Sequence, residues 1–395
     1  MLIQFLISIL AGIVAGTITG LVPGIHINLV GTILISLSAT IFSKVDSVYL
    51  AIFISSVAIT HTFVDFIPSI FLGCPDDDSS LSVLPGHELL KDGRGYEAVM
   101  LTIYGGLAAI FLLPLLAFPL SFLFSNIYDL IVPKMFWILL ITFSILIFTE
   151  KRKFAALFVF IISGLFGLCA LNLELNEPLL PMLTGLFGSS LLLLSIKNKT
   201  QIPEQKISYP KKKIIKPVLS SVIASPLCGF LPGLGSGQAA VLGNLFSKGD
   251  KEGFLTLIGS TNILVMGFSF ISLYAISKTR TGAAAAVKEI LGNLSGEVLI
   301  LILLTILISG IISFFLTKFL AGFFSQKITK INYSKLSIAT LIFLVIIVFV
   351  ISGFLGLLVL VASTLLGVFC NSLEVKKTNM MGCLLLPTII YYFPF

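Results

Sequence analysis

The chain has 395 residues, of which 57% are hydrophobic and 11% are charged, and its formal net charge is +7. This composition excludes an ordinary soluble domain, because several uncharged stretches reach the ~20 residues that span a bilayer as a helix. The positive charge does not indicate nucleic-acid binding, since the basic residues cluster in short loops between apolar stretches. The five cysteines show no metal-binding or disulfide spacing. We predict an all-α, multi-pass protein of the plasma membrane, in contact with lipid.

In chain order, the apolar segments predict about ten to twelve transmembrane or re-entrant helices. The first segment, Leu2–Val22, lacks a basic start and a cleavage site, so we interpret it as a membrane helix and not as a removed signal. Spans at 336–350 and 354–369 come late in the chain, and residues 277–288 are predicted to be a loop of small residues.

The longest polar stretch, residues 197–216, is a basic linker between two membrane repeats, 1–196 and 217–395. The positive-inside rule places this linker in the cytoplasm. Segment 74–97 is acidic, whereas its approximate counterpart 278–288 is basic. Opposite charge at matching positions favours repeats that are inverted relative to the membrane.

A Gly-x-x-Pro-Gly motif interrupts an apolar segment twice, at 20–24 and at 229–233. Proline and glycine break a helix, and the freed backbone groups must then face protein or a polar cavity. The restarting half-helix offers N–H groups and a positive dipole end to an anion. Two ordinary proline kinks, with polar residues that only cap the half-helices, are the alternative. The candidate substrate-binding residues are Pro23, Gly24, His26, Asn28, Pro232, Gly233, Gly235, Ser236, Gly237 and Gln238.

Four further polar residues are candidates for ion coupling or for lining a polar cavity. His61 and Asp65 are four residues apart and share a helix face, where they could move protons or help to hold Na⁺. A structural His–Asp pair is the alternative. Asp76 either binds a cation or caps a helix that begins near Ser79, and Asn262 is a cavity residue or an interhelical hydrogen-bond partner. Apart from this coupling ion we expect no cofactor and no bound metal.

The polar stretch 73–98 carries Pro-Asp, then Ser-Ser, and then Pro-Gly-His-Glu-Leu-Leu-Lys-Asp-Gly-Arg-Gly-Tyr-Glu-Ala. Together with the duplicated Gly-x-x-Pro-Gly motif, it resembles the large membrane subunit of tripartite tricarboxylate transporters, the TctA family, as a divergent branch. The resemblance implies ion-driven uptake of a small organic acid such as citrate. It also implies two partners, a small membrane subunit and an extracytoplasmic binding protein.

The residues and the resemblance together predict a secondary active permease for a small organic anion, a di- or tricarboxylate, working by alternating access. A flippase of a phosphate-bearing lipid carrier is a second hypothesis, because a helix N-terminus binds phosphate as readily as carboxylate. An intramembrane enzyme would need a nucleophile–base pair or a metal cluster, and the sequence offers no such pattern. We therefore expect no enzymatic activity. A purely structural scaffold would not explain the duplicated helix breaks.

Overall fold

The computed structural model describes residues 2–22, 30–31, 34, 45–73, 80–148, 150–197, 202–210, 214–230, 235–328, 330, 332–373 and 375–394. Every regular element within these ranges is helical. The helices of the first part are α1 (Leu2–Leu21), α2 (Ser47–Val64), α3 (Phe66–Phe71), α4 (Val83–Lys91), α5 (Gly95–Ile131), α6 (Met135–Phe148), α7 (Lys153–Leu171), α8 (Leu179–Leu183) and α9 (Ser190–Lys197). Those of the second part are α10 (Ile215–Phe230), α11 (Ser236–Ser247), α12 (Lys251–Ile276), α13 (Gly282–Leu291), α14 (Gly296–Ile328), α15 (Tyr333–Ser372) and α16 (Gly382–Tyr391).

Eight helical stretches of the described chain are long and apolar enough to cross a membrane. Their apolar surface explains why many large hydrophobic side chains stay exposed, such as Phe118 at 82% and Phe154 at 90%. In a bilayer these side chains face lipid and not water. The prediction of an all-α, polytopic membrane protein is confirmed.

Two central helices differ from the others because they are buried on all sides. The stretch that includes α2 and α3 and the stretch formed by α12 are each 94% buried over their most apolar window. Both have small polar side chains distributed around the helix, among them Ser55, Ser56 and Thr60 in α2 and Ser260 and Thr261 in α12. Small side chains allow close helix approach, and their hydroxyl groups bond back to the helix or across to a neighbour.

Helix α5 is the common neighbour of both central helices. It runs in the same direction as α12, since Arg94 contacts Glu252 near the two starts and Ser125 contacts Ala275 near the two ends. Closest approach occurs at glycine: a Cβ added to Gly259 would lie 1.9 Å from the Thr102 carbonyl oxygen. This glycine contact lets the two backbones touch.

The stretch α2–α3 runs in the opposite direction to α5. Phe71, at its end, reaches Gly95 at the start of α5, whereas Phe63 reaches Gly106, further along α5. The two central helices, α2 and α12, are therefore antiparallel to each other. Helix α14 is likewise antiparallel to α5, because Tyr104 packs against Phe314 and Ile110 approaches Gly310.

The packing of the central helices is reciprocal between the two parts of the chain. Helix α2 packs against α13 and α14, which come from the second part. Helix α12 packs against α4 and α5, which come from the first part. Each central helix is thus covered in large measure by the other part of the chain.

Helices α10 and α11 form a hairpin that enters and leaves at the same end of the bundle. Pro217 lies beside Gly253, so α10 and α12 begin together, and Gly229 later approaches Phe268. Helix α11 returns along α10, because a Cβ at Gly243 would lie 3.3 Å from the Ser220 carbonyl oxygen. The described chain thus reverses direction between the end of α10 at Phe230 and the start of α11 at Ser236, while Pro232 and Gly233 themselves lie outside the described residues.

An outer layer formed by α6–α9, α15 and α16 packs against this core. Helix α15 packs along α8, α9 and the π-helical turn between them, and α16 packs along α7. Helix α15 is interrupted at Gly353, where φ is 66°, a left-handed conformation that favours glycine. The two predicted spans at 336–350 and 354–369 are the two sides of this kink.

One predicted loop is wrong. Residues 277–288 contain most of α13, because the run of four alanines from Ala283 to Ala286 has high helix propensity. The Thr281 hydroxyl caps this helix by accepting from the Ala284 N–H at 3.4 Å. Pro114 and Pro119 both lie inside α5, which runs as one helix from Gly95 to Ile131.

Candidate functional site

Helix α1 ends at Leu21, just before the first predicted break, against the last turn of the buried helix α2. A Cβ added to Gly20 would lie 3.0 Å from the His61 carbonyl oxygen and 3.0 Å from Val64 Cβ. The Thr19 hydroxyl is 3.1 Å from His61 Nδ1. The close approach at Gly20 brings the backbone of α1 into contact with that of α2. The chain that follows Leu21 therefore starts beside a buried histidine.

The second break is built in the same way on the other central helix. A Cβ at Gly229 would lie 2.7 Å from Phe268 Cβ, so α10 ends two-thirds of the way along α12. After the break, Gly235 is extended and serves as the N-cap of α11. Its N–H donates to Gln238 Oε1 at 2.8 Å.

Gln238 holds an unused donor at the N-terminus of α11. The side chain is only 2% exposed, and its Oε1 is engaged by the Gly235 N–H. Its Nε2 is buried and has no hydrogen-bond partner in the described part of the protein. A buried amide donor without a partner costs free energy, ~1–3 kcal/mol, so such groups usually have a functional partner. The amide is positioned to donate to an anionic oxygen beside the helix terminus.

The two breaks lie at similar depth in the bundle. Gly106 of α5 stands between the central helices, close to Phe63 on one side and to Ile263 on the other. His61 is two residues from Phe63, and Phe268 lies five residues beyond Ile263, or ~8 Å along the helix axis. Asn262, which is 3% exposed, is at the same level as Gly106.

The segment that follows each break contacts the opposite part of the chain. A Cβ at Gly31 would lie 2.7 Å from the Gly282 carbonyl oxygen, at the start of α13. In α11, a Cβ added to Gly237 would lie 3.2 Å from Cδ1 of Leu81, which comes just before α4. Each of these two segments therefore contacts the other part of the chain at a glycine.

His61 and Asp65, predicted to share a helix face, are both buried, at 1% and 4% exposure. Asp65 stands at the junction of α2 and α3, where its carbonyl oxygen accepts from the Ser69 hydroxyl at 2.7 Å. In α12, Ser269 occupies the equivalent place one residue beyond Phe268, and its hydroxyl accepts from the N–H groups of Arg280 and Thr281. This hydroxyl fixes the turn before α13.

Seven predicted site residues lie outside the described part of the chain: Pro23, Gly24, His26, Asn28, Asp76, Pro232 and Gly233. The seven that are described, Gly235, Ser236, Gly237, Gln238, His61, Asp65 and Asn262, all lie inside the core. Among the described residues, no group of three or more His, Cys, Asp or Glu side chains could hold a metal ion.

Two polar arrangements were not predicted from the sequence. His87 is half-buried between α3 and α15, where Nδ1–H donates to the Ile70 carbonyl oxygen at 2.8 Å and Nε2 accepts from the Tyr333 hydroxyl at 3.0 Å. Burial lowers the pKa of His87 to about 4, so the ring is neutral. The Pro-Gly-His sequence around His87 does not indicate that its hydrogen-bond partner lies so far away along the chain.

The second is an ion-pair network at the linker end of the core. Arg94 donates to Glu97 and to Glu252, each at 2.7 Å, and thereby joins the starts of α5 and α12. These bonds raise the pKa of the Arg94 guanidinium further above its ordinary value. The linker packs against the start of α5, since the Gly95 N–H donates to Gln205 Oε1 at 2.8 Å.

Comparisons with known proteins agree with this architecture. The model of the tripartite tricarboxylate transporter TctA family matches residues 6–382. An uncharacterized protein of Methanocaldococcus jannaschii is 31% identical over 357 residues, covering 86% of this chain and 88% of the relative. No solved structure matches this chain significantly. The helices, the duplicated break and the family match together identify the chain as a multi-pass plasma-membrane component of a transporter, a member of the tripartite tricarboxylate transporter TctA family.

Proposed function

We propose that the protein carries a small organic anion, a di- or tricarboxylate, across the membrane by ion-coupled alternating access. The anion would bind between the two helix breaks, with its carboxylates facing the N-terminal ends of the restarted helices. The family match supports this substrate class over a phosphate-bearing lipid carrier. The same match to transporters supports a role without enzymatic catalysis.

The observation that carries the proposal is the unused amide of Gln238. It is buried at the N-terminus of α11, close to the tip of a re-entrant hairpin. A neutral amide donor at a helix N-terminus can hold a carboxylate without a fixed positive charge, so release remains possible. Ser236 and Gly237 in the first turn of α11 complete this part of the proposed site, with Gly235 as its cap.

The repeat organisation is part of the same proposal. Residues 1–196 and 217–395 would form inverted repeats joined by the cytoplasmic linker 197–216. The antiparallel central helices, the antiparallel pair α5 and α14, and the reciprocal packing support this division. Inverted repeats place a substrate site near the bilayer midplane, where each repeat contributes one broken helix.

Coupling to Na⁺ or H⁺ is proposed to involve His61 and Asp65 at the first break, with Asn262 as a polar neighbour from the other central helix. Ionisable groups inside a membrane are costly, and they are functional candidates by default. The buried position of all three beside the broken helices supports this assignment. The first break would contribute Pro23, Gly24, His26 and Asn28 to the substrate-binding site, and the second would contribute Pro232 and Gly233. We propose Asp76 as a candidate cation ligand.

The family description names a tripartite system, so partner subunits are expected. We propose a small membrane subunit and an extracytoplasmic binding protein as those partners. Co-purification with the products of neighbouring genes would test this part separately from transport.

Uptake of radiolabelled citrate and succinate into proteoliposomes, under Na⁺ or proton gradients, tests the proposal. We expect gradient-dependent uptake, and we expect Gln238→Ala to reduce it at least tenfold, since a hydrogen bond to a charged group contributes ~1.5–3 kcal/mol. Gln4→Ala is the matched control, because Gln4 is exposed on α1 and should leave uptake unchanged. Absence of gradient-driven uptake of any carboxylate by the complete system would refute the proposal.

A further inference from the structure

A cavity of about 350 Å³ opens at the linker end of the protein, between the core and the outer layer. Helices α4, α11 and α12 form its core side, and the short 3₁₀ helix Lys377–Met381, with the residue before it, forms the other side. Small-molecule sites commonly occupy such interfaces, and this volume is within their usual range. Leu81 belongs to its wall and would meet a Cβ added to Gly237, so this wall separates the cavity from the first turn of α11.

Among the described residues, the charged groups that line the cavity leave one cation without a counter-ion. Lys251 forms an ion pair with Glu88, and Asp250 caps α12 by accepting from the Gly253 N–H at 3.1 Å. Lys376 lies 3.8 Å from Glu150, which is outside the cavity. Lys377 is the remaining cation.

The ammonium of Lys377 is buried in the cavity wall. Its Nζ is shielded from solvent and has no hydrogen-bond partner among the residues that the structure describes. Burial lowers its pKa to about 8, with further lowering by Lys91 and a smaller opposite effect of Glu88. A buried ammonium without a partner is strongly unfavourable, and an anionic ligand would relieve this cost.

The rest of the cavity is mainly apolar. Its walls include Leu81, Pro85, Val241 and Phe254. An inorganic ion would leave these walls uncovered, whereas a ligand with one acidic group and an apolar body would satisfy both the ammonium and the hydrophobic surface.

We propose that this cavity binds a small organic acid with a single carboxylate and an apolar body, and that Lys377 pairs with the carboxylate. Its role rests on the proposed transport function: the bound monocarboxylate acts on transport from the cytoplasmic end of the protein and is not itself the transported di- or tricarboxylate. The binding itself does not depend on transport.

Thermal unfolding of the purified full-length protein, titrated with benzoate, tests the site. We expect benzoate to raise Tm by about 2 °C or more near saturation. Lys377→Met should abolish this shift. Lys278→Met, which removes the same charge from an exposed position at the opposite end of the bundle, should retain it. Inorganic phosphate, which has no apolar body, should produce a much smaller shift than benzoate.

A second readout separates binding from a structural role. Replacing an unpaired buried ammonium with a hydrophobic side chain should not lower the Tm of the ligand-free protein. Benzoate binding should also weaken as pH rises above 8, because Lys377, whose pKa is about 8, then loses its proton. Glu88, Asp250, Lys251 and Lys376 also line the cavity, and the charge of Lys91 acts on Lys377.

Three results would overturn the site: a benzoate shift that persists in Lys377→Met, a ligand-free Lys377→Met that is clearly destabilised, or stabilisation by phosphatidylglycerol vesicles but not by benzoate. Failure of citrate uptake with benzoate binding intact would reject the transport function and leave the cavity site standing. Uptake that is normal in Lys377→Met, with benzoate binding lost, would reject only the role of the cavity in transport.

Discussion

Gly259 is the position where a single added methyl group should have the clearest effect on the core. Its Cβ would lie 1.9 Å from the Thr102 carbonyl oxygen, and the obstructing atom belongs to the backbone of α5. A side chain could rotate away, but a helix backbone can only move as a unit. Gly259→Ala must therefore push α12 away from α5.

The size of the effect follows from two opposing contributions. Overpacking a tight interface costs ~1–3 kcal/mol. Alanine in place of glycine inside a helix otherwise stabilises by ~0.5–1 kcal/mol. Gly322 in α14 gives the matched control, because its Cβ would meet only Tyr96, at 3.9 Å. The helix gain is common to both variants and cancels, so their free energies of unfolding should differ by about 1 to 3 kcal/mol, with Gly259→Ala the less stable.

Reversible unfolding in mixed detergent micelles, followed by circular dichroism, measures these free energies. Gly322→Ala should match or exceed the wild type, and Gly259→Ala should fall below it. Citrate uptake should also decrease in Gly259→Ala if α5 and α12 position the two breaks. Equal stability of the two variants would show that the backbone contact is not tight in the folded protein, and the argument from the glycines would fail.

Three further predictions concern polar groups. Because the pKa of His87 is lowered to about 4, the unfolded chain gains a proton near pH 6.5 while the folded ring stays neutral, so stability should fall by up to ~1.4 kcal/mol for each pH unit below 6.5. Unfolding measured between pH 4 and pH 7 should show this slope, and a His87→Gln variant with the same slope would contradict it. Arg94→Met should lose ~1–3 kcal/mol, since Glu97, 6% exposed, loses its cation; Arg94→Lys should lose less in the same unfolding assay. Asp65→Asn should remove the dependence of uptake on one ion gradient, and an unchanged dependence on both gradients would exclude Asp65 from coupling.

Hydrophobic pattern and helix breakers were sufficient to predict the class of fold. The apolar runs are long and clearly separated, and a membrane helix must satisfy its own backbone, so helix was the expected outcome. The break at Pro232-Gly233 was predictable because proline and glycine act locally on the backbone. The short gap around Gly353 was interpreted as the boundary between two spans, whereas the structure joins them in one helix, Tyr333–Ser372, with a kink at this glycine.

Contacts between distant residues could not be predicted in this way. The pairing of His87 with Tyr333 joins positions 246 residues apart. The cavity around Lys377 combines residues from three separate parts of the chain, and only the folded arrangement shows that this lysine is buried while Lys376 is exposed. Helix α13 was missed because its short length and small side chains resemble a loop when only hydropathy is considered.

The reciprocal packing of α2 and α12 has a consequence for biosynthesis. When the ribosome has released residues 1–196, α2 is in the membrane with its serines, threonines and His61, but the helices that will cover it, α13 and α14, have not yet been made. A newly inserted first part therefore exposes these hydrophilic side chains to lipid until α13 and α14 are made. This intermediate should be the stage at which quality-control proteases recognise the protein, and a chain truncated after the linker should be degraded quickly in the cell.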